Sequence, residues 1–112
     1  MSDLLIADDE KWIRKGIIAK LKKSGLHFDD IYEAGDGLEA KNLIEEKRPR
    51  IAITDIIMPR LDGLELMEWD NRNQFGTRFV IISGYSEFRY AQKAINLGAE
   101  GYILKPITDY DL

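Results

Sequence analysis

The sequence predicts an α/β domain: a doubly wound, five-stranded parallel sheet with helices between the strands. Two observations carry this. Short apolar runs, such as Leu4-Leu5-Ile6-Ala7 and Phe79-Val80-Ile81-Ile82, are continuous rather than alternating, as in strands buried on both faces. Stretches with helical apolar spacing separate them, joined by short connections, and that alternation is the pattern of a parallel sheet with helices on both faces.

The elements follow in order. Leu4–Ala7 is the first strand, ending in Asp8-Asp9-Glu10. From Lys11 to Lys23, Ile13, Ile17 and Leu21 recur every fourth residue with Ile18 alongside, which makes an amphipathic helix with lysines in its last turns. Ile31–Ala34 is the second strand. Asp36 with Glu39 forms a capping-box pattern, and Ala40, Leu43 and Ile44 form the stripe of a helix that Pro49 stops. The third strand is Ile51 to about Thr54, with Asp55 at its end and the loop Ile56–Asp62 beyond. Asp62 with Glu65 repeats the cap, which starts a helix at Gly63 running to about Arg72 through Leu66, Met67 and Trp69. A turn-like polar stretch, Asn71–Gly76, leads to the fourth strand, Phe79–Ile82, ending at Ser83-Gly84. Ser86 caps a fourth helix with Phe88, Ala91 and Ile95 on one face, and Gly98 ends it. Tyr102–Leu104 is the fifth strand, followed by Lys105-Pro106. A fifth helix has barely begun at Thr108 or Asp109. A five-stranded sheet needs about five helices to cover both faces, so the natural chain is expected to continue past Leu112.

Composition narrows the function. With 112 residues, 45% apolar and 32% charged, the chain has the make-up of one soluble globular domain. It has no apolar run of about 18 residues to span a membrane and no secretion signal at Met1-Ser2-Asp3. Cysteine is absent, which removes thiol chemistry and fits a cytoplasmic protein. A net charge of −4 argues against nucleic-acid contact by this segment. The one histidine, His27, excludes multi-histidine metal sites and reads as a solvated loop residue.

In an open parallel sheet, ligands bind outside the carboxyl ends of the strands. Those ends carry Asp8 and Asp9, Asp55, Ser83 and Lys105. Three acids packed together repel one another unless a cation joins them. Mg2+ suits an all-oxygen set of few carboxylates. Lys105 supplies a second positive charge for phosphoryl oxygens, Ser83 a hydroxyl, and Asp55, central on the sheet, the nucleophile. Each residue also has a plain structural reading. Asp8 or Asp9 could cap the first helix, Ser83 could be a cap, Asp55 could open a loop and Lys105 could be solvated. Taken jointly, that reading needs four strand ends to carry phosphate chemistry by coincidence.

These motifs resemble the receiver domain of two-component response regulators. The resemblance spans essentially all of residues 1–112, through Leu5–Glu10, Asp36–Ala40, Thr54–Pro59 with Asp62-Gly63, Ile82–Gly84, and Gly98-Ala99 with Tyr102–Pro106. It implies the flavodoxin-like strand order 2-1-3-4-5. It implies that Asp55 accepts phosphoryl from a histidine kinase or a small phosphodonor, and that Asp8, Asp9, Asp55 and the Ile57 carbonyl hold Mg2+. Lys105 would bind the phosphoryl oxygens, before a cis Pro106. Ser83 and Tyr102 resemble the family's switch pair, which would reshape the face of the fourth helix and fifth strand. Two departures, Ile57 and Tyr85, flank the expected path of the hydrolytic water and imply slow dephosphorylation. Ser83–Phe88 with Ala91 resembles the subgroup whose receiver precedes an AraC-type helix-turn-helix effector, which would lie beyond Leu112 and bind DNA. Such a regulator would control transcription, and a phosphorylation-dependent homodimer is compatible with it.

Three alternatives share parts of this pattern. A haloacid-dehalogenase-type phosphatase puts its nucleophile on the first strand and its acid pair late, the reverse of the order here. A flavin carrier needs a Ser/Thr-rich loop after the first strand, where Asp8-Asp9-Glu10 would repel a phosphate. A receiver-like module without phosphorylation would not need all five site residues.

Overall fold

The computed structural model describes residues 3–84 and 88–104. The elements are β1 (Asp3–Ala7), α1 (Lys11–Lys23), β2 (Asp30–Ala34), α2 (Gly37–Lys47), β3 (Ile51–Asp55), α3 (Gly63–Asn73), β4 (Arg78–Ser83), α4 (Phe88–Asn96) and β5 (Gly101–Leu104). The strands form one five-stranded sheet in the order β2-β1-β3-β4-β5, all pairs parallel. The doubly wound sheet expected from the sequence is therefore observed. The cap expected at Ser86 and the start of a fifth helix at Thr108 or Asp109 lie outside the described residues.

Side chains alternate across the sheet and divide the core in two. Leu4 and Ile6 of β1, Ile53 of β3 and Ile82 of β4 pack with Ile17 and Leu21 of α1. Leu5, Ala7, Ala52, Phe79 and Ile81 point the other way and pack with Ala40 and Ile44 of α2, Leu66 and Met67 of α3, and Ala91 and Ala94 of α4. Full burial of a side chain such as Ile17 or Ile44 is worth about 1.5–3 kcal/mol, and both are essentially inaccessible to solvent.

The ends of the helices follow their sequence signals, with two refinements. Asp62 and Glu65 form a complete reciprocal capping box on α3. On α2, Asp36 accepts the Glu39 N–H at 2.8 Å, but the Glu39 carboxylate reaches past Asp36 to the Gly35 N–H at 2.6 Å, so one half of the box is displaced by a residue. The N-cap residue of α1 is Glu10, which makes no side-chain cap; neither Asp8 nor Asp9 holds that position.

One expectation is corrected. Ile95 does not share the buried face of α4 with Ala91: it is 51% exposed, whereas Ala94 is fully buried. The helix is rolled so that its two alanines meet the sheet side, and small side chains permit the closest approach there. The Phe88 side chain lies outside the described residues.

Candidate functional site

The buried polar side chains cluster. Among the described residues they are Asp8, Thr54, Asp55, Asp70 and Ser83. All but Asp70 sit at the carboxyl edge of the sheet. Asp8 directly follows β1, whose Ala7 pairs with Thr54 of β3. Asp55 is the next residue on β3 and pairs with Ile82 of β4. Ser83 comes one step later and pairs with Leu104 of β5. Parallel register thus brings Asp8, Asp55 and Ser83 to three neighbouring strand ends. Lys105 comes next in the chain after Leu104 and lies outside the described residues, as do Tyr85 and the Lys105–Pro106 bond.

Burial of two carboxylates on adjacent strands is costly in isolation. Asp8 is inaccessible and Asp55 only 3% exposed. Exposed acids lie next to them: the carboxylate oxygens of Asp8, Asp9 and Glu10 come within 4.8 Å of one another. Glu10 therefore joins the acid cluster, although the sequence argument used only Asp8 and Asp9. Its position directly after the acid pair was the available signal. Asp8 Oδ1 also accepts the Glu10 N–H at 2.9 Å, which folds the chain back so that the three acids converge. Carboxylates with few other donors are the hard-oxygen set that Mg2+ takes, so these residues fit the ion chemically.

The loop after β3 carries the remaining pieces. Thr54 Oγ1 donates to the Asp55 carbonyl at 3.0 Å. Ile56 and Met58 turn inward, whereas the Ile57 side chain is 46% exposed. The Gly63 N–H donates to the Ile56 carbonyl at 2.7 Å. A Cβ on Gly63 would lie 2.6 Å from the Asp55 carbonyl oxygen, so only glycine lets α3 start this close to the end of β3.

Two residues around the cluster were not anticipated. Arg14 of α1 donates from Nη1 to the Asp8 carbonyl at 2.6 Å and from Nε to Glu33 of β2 at 3.0 Å, and Lys15 also donates to Glu33. Burial pushes the Glu33 carboxyl up, but the hydrogen bonds from Lys15 and Arg14 outweigh it and hold the group below its ordinary value. A signal existed in the sequence: Arg14 and Lys15 follow Asp8 within two helical turns. Their partner on another strand, however, is set only by the sheet.

Ser83 and Tyr102 share a sheet face. Tyr102 pairs with Ile81, two residues before Ser83, and packs against the core on the α2–α3–α4 side. Alternation puts Ser83 on that side as well. Its Oγ is buried and has no hydrogen-bond partner among the described residues.

The comparisons with known proteins agree with this architecture. The family model described as response regulator receiver domain matches residues 4–112. The chain is 37% identical over 112 residues to the uncharacterized transcriptional regulatory protein YesN of Bacillus subtilis, covering all of this chain and 30% of the relative. It is 36% identical to the transcriptional regulatory protein HptR of Staphylococcus aureus, again over all of this chain and 44% of the relative. The chain thus spans less than half the length of these curated relatives. Among solved structures, it is similar to a two component transcriptional regulator AraC from Clostridium phytofermentans, with a TM-score of 0.87 and 36% identity over 99% of this chain and 86% of that one. No helix among the described residues is long and apolar enough to cross a membrane. A whole-length family match, the strand order and a buried acid pair at the sheet's carboxyl edge lead to one conclusion: the chain belongs to the response regulator receiver domain family, whose members are signalling domains rather than classical enzymes.

Proposed function

We propose that this chain is the phosphoacceptor domain of a two-component system, with Asp55 as the acceptor. The observation that carries the reading is the burial of Asp8 and Asp55 at adjacent strand ends, beside the exposed acids Asp9 and Glu10. An Asp55 carboxylate oxygen attacks phosphorus of a phosphohistidine on a sensor kinase, or of a small acyl phosphate. The P–O bond to Asp55 forms as the bond to the donor breaks, and the leaving group takes the electron pair and a proton from solvent.

Asp8, Asp9, Asp55 and the Ile57 carbonyl would hold Mg2+, which supplies charge neutralisation for the transferring group. Lys105 binds the phosphoryl oxygens. Ser83, whose hydroxyl is buried without a partner among the described residues, turns its Oγ toward the phosphoryl group. Tyr102, on the same face, moves inward behind it. The α4–β5 surface then differs between the two states and controls an effector. The lengths of the relatives support an effector beyond Leu112, and the likeness to an AraC two component transcriptional regulator supports a DNA-binding one; the location that goes with this reading is the cytoplasm. The domain's own chemistry is limited to gaining and losing this phosphoryl group. A phosphorylation-dependent homodimer is compatible with this reading.

The test is intact mass after incubation with acetyl phosphate or a cognate kinase and Mg2+. The wild type gains about 80 Da, one phosphoryl group, and Asp55→Asn gains nothing. An unmodified wild type under both donors would leave a receiver-fold binding module as the better reading.

A further inference from the structure

The loop from Ile56 to Asp62 leaves the proposed acceptor and carries the Ile57 carbonyl. It is fastened at its α3 end by Gly63, as described above. Its other attachment is to the N-terminus of α2, an element with no residue in the proposed chemistry. The Gly37 N–H donates to the Pro59 carbonyl at 3.3 Å. A Cβ on Gly37 would fall 1.7 Å from the Leu61 carbonyl oxygen, and that atom belongs to backbone. Asp36 Oδ2 lies 3.3 Å from Arg60 Nε, while its Oδ1 caps α2 through Glu39.

Between these contacts the chain makes a three-residue turn. The Leu61 N–H donates to the Pro59 carbonyl at 2.8 Å, and Arg60 at its centre has φ +71°. A γ-turn with a left-handed, non-glycine centre is a strained conformation that persists only where its surroundings impose it. Here the surroundings are the first turn of α2, which meets the loop on both sides of Arg60.

We propose that the Asp36-Gly37 start of α2 is a positioning seat for the metal and phosphoryl site. It touches neither ion nor phosphoryl group. It acts through Pro59, Arg60 and Leu61, whose placement sets that of Ile57 two residues before Pro59. Gly37 supplies the dominant constraint, because the backbone-to-backbone approach admits no side chain. The Asp36–Arg60 pair is secondary: Arg60 is largely exposed, and exposed ion pairs contribute little. This inference rests on the phosphoacceptor reading of Asp55.

Mg2+ titrations of the wild type, Gly37→Ala and Arg60→Gly test it, read by calorimetry and by the shift in melting temperature. Phosphorylation by acetyl phosphate is measured across the same Mg2+ series. Glycine adopts positive φ without strain, so Arg60→Gly folds and keeps the turn accessible while removing the pair with Asp36 and the side-chain restriction on the loop. The expected result for Gly37→Ala is Mg2+ affinity weakened about tenfold or more, with phosphorylation recovering at saturating Mg2+. Arg60→Gly shifts the same way by a smaller factor, without a loss of melting temperature. A folded Gly37→Ala protein with Mg2+ affinity within about twofold of the wild type overturns the seat, because supporting residues around a metal normally matter more than that. Should Gly37→Ala fail to fold, unchanged Mg2+ affinity in Arg60→Gly overturns it instead. A wild type that neither binds Mg2+ nor gains a phosphoryl group removes the phosphoacceptor reading itself and the inference with it. Binding in the wild type with unshifted variants removes the inference alone.

Discussion

The Arg14 guanidinium reaches from α1 to the backbone carbonyl of Asp8, donating from Nη1 at 2.6 Å. It thereby ties the first helix to the strand end that carries the acid cluster. The Arg14 side chain is 14% exposed, and a mostly buried, charge-assisted hydrogen bond of this kind is worth about 1.5–3 kcal/mol. Arg14→Ala should lower unfolding stability by roughly that amount in urea titrations. Arg14→Lys should recover only part of it, because an ammonium does not reproduce the two-pronged contact to Asp8 and Glu33. A fully stable alanine variant would show that the contact contributes nothing.

Glu33 makes the pH dependence of that contact readable. Its carboxyl is held below the ordinary value of 4.5, so the folded state binds its proton less readily than the unfolded chain does. The stabilisation is fully present above 4.5 and is lost as pH falls through the lower, folded value. The stability difference between the wild type and Glu33→Gln should therefore be constant near neutrality and shrink in acid. A difference that grows on acidification would contradict this sign.

Asp70 has the opposite sign. It is buried at the far end of the molecule from the site, and Oδ1 accepts the Thr77 N–H at 3.3 Å. Burial raises its carboxyl above the ordinary 3.8, against the lowering effect of hydrogen bonds from Thr77 and Gly76. Its charge thus costs stability above the raised, folded value, and the cost disappears as pH falls below 3.8. Asp70→Asn keeps an oxygen acceptor for Thr77 and removes the charge. It should match or exceed the wild type in stability at neutral pH and lose that advantage in acid. A variant that is clearly less stable at neutral pH would mean that the carboxylate, not merely an acceptor, is needed.

Metal binding should appear as stabilisation by mass action. At Mg2+ about 100 times the dissociation constant, the wild type should gain about 2.7 kcal/mol. Asp9→Ala should abolish the shift in melting temperature. Glu10→Ala should reduce it less, because Glu10 joins the cluster without belonging to the ligand set proposed above. If the gain survives intact in Asp9→Ala, that ligand assignment is wrong.

The acyl phosphate should be long-lived. Ile57 has an apolar, 46% exposed side chain two residues after the proposed acceptor, where it cannot orient a water for attack. Tyr85, bulky and two residues after Ser83, occupies the corresponding position in sequence. Intact mass followed over time should show label persisting well beyond seconds, and Ile57→Asn, which can hydrogen-bond a water, should shorten its life. Rapid loss from the isolated wild-type domain would refute the proposal.

Much of this architecture is legible in the chain itself because its causes are local. Continuous apolar runs specify strands buried on both faces, and stripes such as Ile13–Ile17–Leu21 specify which helix face turns inward. Asp62 with Glu65 marks the start of α3 to the residue. The convergence of Asp8, Asp9 and Asp55 at one edge follows from the rule that parallel strands share one carboxyl edge, so it is legible in the sequence. Contacts between segments far apart in sequence are a different matter. The roll of α4 that buries Ala94 and exposes Ile95 depends on how closely a helix approaches the sheet. Periodicity allows both residues and packing selects one. Glu33 meets Arg14 and Lys15 only because β2 lies beside β1 in this register. Gly37 reads in sequence as the ordinary first residue of a helix. Its need for glycine comes from the Leu61 carbonyl, 24 residues further along the chain. Such constraints arise from excluded volume between backbones that only the folded sheet brings together.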